Sequence, residues 1–341
     1  MIIKRPQSWG ELRYDTSAHR FLCVVKDTQE LPFIRQPVVL NVDLTFKCNL
    51  SCRHCVARDM QTVMPDDLCI SSRLLKSIND SPFMVVVITG GEPLLPEYGE
   101  SLSSLVEGIR DKGIIVDSNG TNPLSEQLLR LLRSKEVMVR ISLDALRAQD
   151  ETCLRGVFPP SGRPTVRSKK RSIEAYMTKI ATINALRSAG VRVSIQSVLH
   201  ANNRVSLLKL PEVLKHWGID QLYVQRLIPT ASLKNQYCLD GEKYEETLDA
   251  IEAECRRLGV DCISKRDRRH NCVFLLVGNG EVFTQGEKPG EKIRLGRLKD
   301  MKRYYFDFVS SSEHSWRYYG NAIVPKDKRT NGVRRQKRRK S

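Results

Sequence analysis

Three cysteines stand close together in Cys48-Asn49-Leu50-Ser51-Cys52-Arg53-His54-Cys55, the pattern CxxxCxxC. Cysteine thiolates hold iron–sulfur clusters and zinc. Three of them on one short loop can hold three irons of a [4Fe–4S] cluster, leaving the fourth iron without a protein ligand. An open iron can bind and cleave a small molecule, whereas a fourth thiolate would suit electron transfer. Ten cysteines in 341 residues would place this spacing by chance only about 0.01 times. Zinc is the other reading, with His54 completing a Cys3His set. The second CxxC or HxxxH half usual for such a site does not follow in the sequence.

Strands and helices alternate around this loop. The apolar run 38–45 reads as a strand that ends at the cysteines. A helix pattern follows at 71–79, then Met84-Val85-Val86-Val87-Ile88-Thr89, a continuous apolar run suited to a strand buried on both faces. That run ends at Gly90-Gly91-Glu92-Pro93. Further patterns are helix 97–112, strand 114–118, helix 124–133, strand 137–143, helix 173–189, strand 191–199, helix 204–217 and strand 219–227. A break rich in Pro, Gly and basic residues spans 156–171. Such alternation predicts a parallel sheet with right-handed crossovers. Six units over 38–228 fall short of the eight of a closed barrel, so an open, partial (β/α)6 barrel of α/β class is expected. On such sheets active sites gather at the carboxyl ends of the strands, where the cysteines, the Gly-Gly-Glu-Pro turn, Ser118-Asn119 and Ser142/Asp144 all fall.

Residues 1–37 read as a lead-in segment with a strand pair, and 229–324 as a small α+β extension. The extension has a helix at 241–258 and a hairpin turning at Gly278-Asn279-Gly280. The net charge is +17. The segment 325–341 carries nine Lys/Arg against Asp327, and reads as a solvated, disordered tail. It could also attract nucleic acid or an acidic peptide, although no aromatic residue is interleaved for base stacking. No apolar run approaches the ~20 residues needed to span a bilayer. The start lacks the apolar core of a signal peptide, so a cytoplasmic location without membrane attachment is expected, where thiols stay reduced. Cys23, Cys69, Cys238, Cys255, Cys262 and Cys272 read mostly as small core residues.

CxxxCxxC followed by Gly90-Gly91-Glu92-Pro93 after the next strand resembles the radical SAM superfamily over about residues 38–228. The resemblance implies an oxidoreductase or maturase with one [4Fe–4S] cluster on Cys48, Cys52 and Cys55. S-adenosylmethionine would sit at the open iron, and an external one-electron donor would be needed. It places His54 against the adenine, and Glu92 with the Gly90-Gly91 backbone at the ammonium group. Ser118, Asn119, Ser142 and Gln196 would line the cofactor pocket, with Asp144 at the ribose and Arg155 at the cofactor carboxylate. Cys153 would donate a hydrogen atom if the reaction is an epimerisation. For His54 a solvated loop position, for Arg155 a surface position and for Cys153 simple packing are the plain alternatives.

The C-terminal part resembles the SPASM or twitch extension of that superfamily, with Cys272 and Gly280 in the expected order. Gln285 then stands where a cysteine belongs, and no cysteine follows Cys272. This implies the scaffold without auxiliary clusters. Relatives with such extensions modify ribosomal peptides or proteins, so an acidic precursor peptide is the expected substrate. An RNA nucleoside or a small cofactor precursor is the alternative for the same chemistry. A non-catalytic zinc- or nucleic-acid-binding protein is the alternative of another class.

Overall fold

The computed structural model describes residues 1–7, 10–25, 38–55, 57, 67–159, 164–227, 233, 237–264, 274–285, 292–300 and 323–325. The chain opens with an antiparallel meander of three strands, β1 (Ile2–Gln7), β2 (Gly10–Asp15) and β3 (Arg20–Val25). The expected lead-in pair therefore has a third member. Then come β4 (Val39–Thr45), α1 (Ser72–Asp80), β5 (Val85–Gly90), α2 (Gly99–Gly108), β6 (Gly113–Ser118), α3 (Glu126–Ser134) and β7 (Met138–Ser142). A short α4 (Ala148–Glu151) precedes α5 (Val166–Ser188), β8 (Arg192–Leu199), α6 (Arg204–His216) and β9 (Gln221–Arg226). The chain continues through α7 (Gly241–Leu258), β10 (Asp261–Ser264), β11 (Phe274–Leu276), β12 (Glu281–Gln285), β13 (Lys292–Arg297) and β14 (Ile323–Pro325).

One sheet runs β10-β9-β8-β7-β6-β5-β4-β11-β12-β13. Strands β4 to β10 are parallel throughout. The parallel run thus has seven strands, one more than the six read from the sequence. The seventh comes from a segment assigned to the extension, because α7–β10 repeats the β/α unit and pairs with β9. The hairpin expected near Gly280 forms, and β11 lies parallel to β4. Strands β10 to β13 of the extension therefore continue the barrel's own sheet at both of its edges, whereas β14 pairs parallel with β3 of the meander.

Alternation along each strand builds two layers. Val86 and Ile88 of β5 face the helices, packing in one core with Leu102, Leu105 and Val106 of α2 and with apolar residues of every other helix except α4. Val85 and Val87 face the other way, against Leu12 and Tyr14 of the meander, Ile115 and Met138. The helices lie on one face and the meander closes part of the other, as in a partial barrel plugged at one end. Tyr14 fills the space left by Gly113, where an added Cβ would lie 2.1 Å from its ring.

Helix starts follow capping chemistry. Ser71, Ser125 and Asp240 accept from the backbone N–H of Leu74, Leu128 and Lys243 at the starts of α1, α3 and α7. Helix α5 begins seven residues earlier than its apolar pattern predicts. Thr165 and Ser168 form a reciprocal capping box that starts it inside the basic break.

Candidate active site

Strand β4 delivers the cysteine loop and β5 delivers Gly90-Gly91-Glu92, and the two loops meet backbone to backbone. Gly91 N–H donates to Thr45 O at 2.6 Å, and Glu92 N–H to Lys47 O at 2.8 Å. This approach excludes side chains. A Cβ on Gly90 would lie 2.1 Å from Thr45 O, and one on Gly91 2.1 Å from Lys47 O. Gly90 also has φ +124°, which L side chains rarely adopt.

Glu92 is fully buried. Its carboxylate accepts from Leu94 N at 2.9 Å, Ser118 Oγ at 2.7 Å and Asn119 N at 2.7 Å. Burial lifts its carboxyl to about 7 against these three donors. Read from the sequence as a contact for the cofactor ammonium, Glu92 here fastens the end of β6. Asn119 passes the connection on to the cysteine loop, with Nδ2 at 3.6 Å from Cys48 Sγ and 2.9 Å from Asn49 Oδ1.

Polar residues between and beyond the cysteines anchor the loop. Asn49 Nδ2 donates to Thr121 Oγ1 and Asn122 Oδ1. Ser51 N donates to Gly156 O at 2.8 Å, and Arg53 N to Leu154 O at 2.8 Å. Ser51 Oγ donates to Phe158 O, while Phe158 N donates to Ser51 Oγ. The stretch 154–158 therefore runs alongside the loop like a clamp.

Behind the clamp lies a buried ionic cluster. Arg155 Nε and Nη2 meet Asp144 Oδ2 and Oδ1 at 3.0 and 3.3 Å, and Val198 N donates to Oδ1. Burial alone would raise the Asp144 carboxyl, but the Arg155 guanidinium holds it well below the usual carboxylate range. Glu151 accepts from Asp144 N and Ala145 N and pairs with Lys179 of α5, which is 1% exposed. Asp144 and Arg155, read as ribose and carboxylate contacts, thus bind each other. His54 Nε2 stands 3.7 Å from Asp144 Oδ2. Burial, reinforced by Arg155, lowers this imidazole to about 4, so it is neutral near pH 7. Its orientation toward Asp144 gives no support to the Cys3His zinc reading.

Ser142 and Gln196 sit in register on β7 and β8. Cys153 is half-buried, with Asn202 Nδ2 3.4 Å from its sulfur. Within the barrel, below these residues, Arg140 is bidentate to Asp117 at 2.7 and 2.6 Å and lies 4.4 Å from the Tyr223 ring. A cleft of about 570 Å³ opens beside Cys48, between Lys47, Asp67 and Glu97.

The donor set fits a cluster with a nucleotide sulfonium beside it. Burial pushes the Cys48 thiol to about 12 and the Cys52 thiol to about 11. Such thiols stay protonated at pH 7 unless a metal takes the proton's place. Among the described residues no three His, Cys, Asp or Glu side chains stand close enough to share a single ion. Sulfurs that each bind a different iron of one cluster need not converge in that way. His54 Nδ1 and Gln196 Oε1 are buried without a hydrogen-bond partner, which suits groups that meet a ligand. In the extension, Cys262 packs against Cys255 in the apolar core, and Cys272 lies outside the described residues.

The pattern of the radical SAM superfamily matches residues 42–203. The chain carries a radical SAM domain. It is 24% identical over 253 residues to the pre-heme d1 synthase of Dinoroseobacter shibae, covering 72% of this chain and 56% of the relative. It is 27% identical over 199 residues to the mycofactocin maturase MftC of Mycobacterium tuberculosis, covering 57% and 46%. The chain spans about half the length of these curated relatives. Among solved structures it resembles Streptococcus suis SuiB bound to S-adenosylmethionine, with TM-score 0.62 and 11% identity over 91% of this chain and 89% of that one. Native anSMEcpe with bound AdoMet and the Cp18Cys peptide follows, with TM-score 0.54 and 18% identity over 80% of each chain. At these identities the structural likeness establishes the fold. Proteins of the superfamily whose pattern matches residues 42–203 are enzymes that use a [4Fe–4S] cluster and S-adenosylmethionine. No helix among the described residues is long and apolar enough to cross a membrane.

Sequence reasoning missed Asn49, Ser51, Thr121 and Asn122, because common polar types carry no motif. It also missed Glu151 and Lys179. A signal for Lys179 was present, since it falls on the same face of α5 as the buried Ser172, Ile183 and Leu186.

Proposed function

We propose that the chain cleaves S-adenosylmethionine reductively and removes a hydrogen atom from a ribosomal peptide or protein. Cys48, Cys52 and Cys55 hold the cluster in this reading. When bound, cluster and S-adenosylmethionine together supply an adenosyl radical that takes the hydrogen atom. The chain's own residues bind and orient. Gly90 and Gly91 expose backbone for close approach, and His54 and Gln196 offer their unpartnered atoms to the nucleotide. Ser118, Asn119 and Ser142 line the same end of the sheet, while burial and Arg155 keep His54 neutral and Asp144 faces its Nε2. Cys153 stands as the hydrogen-atom donor for an epimerising reaction. The observation that carries the proposal is the seam in which Cys48, Asn119 and Glu92 join the two motif loops.

A peptide substrate is supported by the maturase among the relatives and by the likeness to SuiB bound to precursor peptide SuiA, TM-score 0.60. The net charge of +17 suits an acidic peptide. An external electron donor would reach the cluster through the cleft beside Cys48, and a reducing cytoplasm would keep the thiols available. The heme synthases among the relatives favour a small-molecule substrate as the second reading.

Anaerobic reconstitution with iron and sulfide tests the core of this. About four irons per chain and 5′-deoxyadenosine formed after reduction are expected. Zinc at the loop, or a cluster that never cleaves S-adenosylmethionine, overturns the proposal. Eight or more irons refute the absence of auxiliary clusters.

A further inference from the structure

Helix α5 is 23 residues long, about 34 Å at 1.5 Å per residue. The strands it joins, β7 and β8, have five and eight residues. The helix runs from the site end of the sheet toward the opposite end, so its first half overhangs the site. Its inward side there is occupied: Ser168 and Ser172 are buried, and Ser172 Oγ accepts from Val157 N at 2.9 Å in the clamp that holds the cysteine loop.

The outward side has its own pattern. Val166, Ile173 and Met177 are 88%, 40% and 60% exposed. Their spacings of seven and four place them in one stripe, opposite the buried face. Arg167, Lys169, Lys170 and Arg171 surround the stripe and are exposed. No acid lies in the first turn, and Glu174 is the acid that follows, 4.0 Å from Lys170. The surface extends toward α6: Leu146 accepts from Tyr176 Oη and donates to Ser206 Oγ, and neighbouring Val205 is 69% exposed.

We infer that this outer face of α5 is the docking surface for an acidic segment with aliphatic residues at helical spacing, belonging to the peptide or protein substrate. The inference rests on the peptide reading above and deepens it by naming where the substrate is held. An aliphatic stripe seats aliphatic side chains, and the basic flanks select acids. A nucleic acid finds no aromatic platform in the stripe. A second copy of the chain would bring its own four cations against these. The position is also apt, because the helix that carries the stripe on its outside holds the cysteine-loop clamp on its inside.

The test uses the full chain and a synthetic peptide of Glu and Leu in amphipathic helical order, followed by fluorescence anisotropy. A Lys and Leu peptide and a single-stranded RNA oligomer serve as controls. Binding of the acidic peptide alone is expected, weakened tenfold or more by Ile173→Glu or Met177→Glu. Uncoupled 5′-deoxyadenosine formation stays unchanged in both variants, since neither residue touches the cofactor pocket. No binding, or equal binding by wild type and variants, overturns the surface and leaves the peptide reading standing. Tighter binding of the RNA overturns both. A dimer in sedimentation that the same substitutions dissolve overturns the surface in favour of a second copy.

Discussion

Asn119 Nδ2 points at Cys48 Sγ from 3.6 Å. The orientation is fixed by chemistry, because Asn119 Oδ1 accepts from both Thr121 N and Thr121 Oγ1, at 2.8 and 2.6 Å. The amide must therefore turn its N–H groups to the sulfur and to Asn49. A donor to a ligand sulfur stabilises the reduced, more negative cluster. Asn119→Leu is expected to lower the midpoint potential by up to about 40 mV, the one-electron equivalent of one hydrogen bond worth ~1 kcal/mol. An EPR-monitored redox titration of the reconstituted cluster reads this shift.

Gly91→Ala asks whether the seam of the two motif loops tolerates a methyl group. The obstructing atom is backbone, Lys47 O at 2.1 Å, so no side chain can yield. A loss of roughly 3 kcal/mol or more is expected. Urea denaturation and iron content per chain should fall together.

Glu92→Gln keeps the shape and removes the charge. The carboxylate accepts through both oxygens, from Leu94 N and Ser118 Oγ on one and Asn119 N on the other, whereas Gln has one accepting oxygen and an NH2 that only donates, so at least one buried donor is orphaned. A destabilisation of about 1–3 kcal/mol is expected. Faster iron release to a chelator would report the loosened connection to Cys48.

Lys179→Met takes away the nearest cation of buried Glu151 and leaves it only Arg155, at 3.7 Å. Removing one partner of such a pair costs about 3–5 kcal/mol. Pairing it with Glu151→Leu is expected to recover part of that loss in chemical denaturation, since both charges are then gone. The recovery is partial because Asp144 N and Ala145 N lose their acceptor.

His19 gives the meander a pH dependence. Its Nε2 lies 2.8 Å from Glu136 O, a pure acceptor, so Nε2 carries the proton and Nδ1 accepts from Tyr14 Oη at 2.8 Å. Burial lowers the imidazole to about 4 from the ordinary 6.5. Between those values the unfolded chain binds the proton and the folded chain does not. The contribution is therefore full above pH 6.5 and is lost as pH falls toward 4, up to about 3 kcal/mol. The change in urea midpoint between pH 5 and pH 7 should differ between wild type and His19→Gln by the part that His19 contributes.

The cysteine spacing, Gly90-Gly91 and the strand at 84–89 were legible because each is a local requirement: soft ligands, close backbone approach, burial on both faces. The seventh strand, and its membership in the sheet, was not legible. Pairing of β10 with β9 depends on contacts that no local sequence encodes. The start of α5 was missed for a related reason, since Thr165 and Ser168 cap it amid residues that read as a break.

The sequence by itself determined the chemistry on offer and the end of the sheet where it gathers, because ligand type and strand polarity are properties of short segments. Tertiary structure decided how the polar residues are spent. Asp144 and Arg155 lie 11 positions apart and satisfy each other, and Glu92 turns to Ser118 and Asn119. Burial forces each polar group to find a nearby partner, and which partner is nearby depends on the packing of the whole sheet.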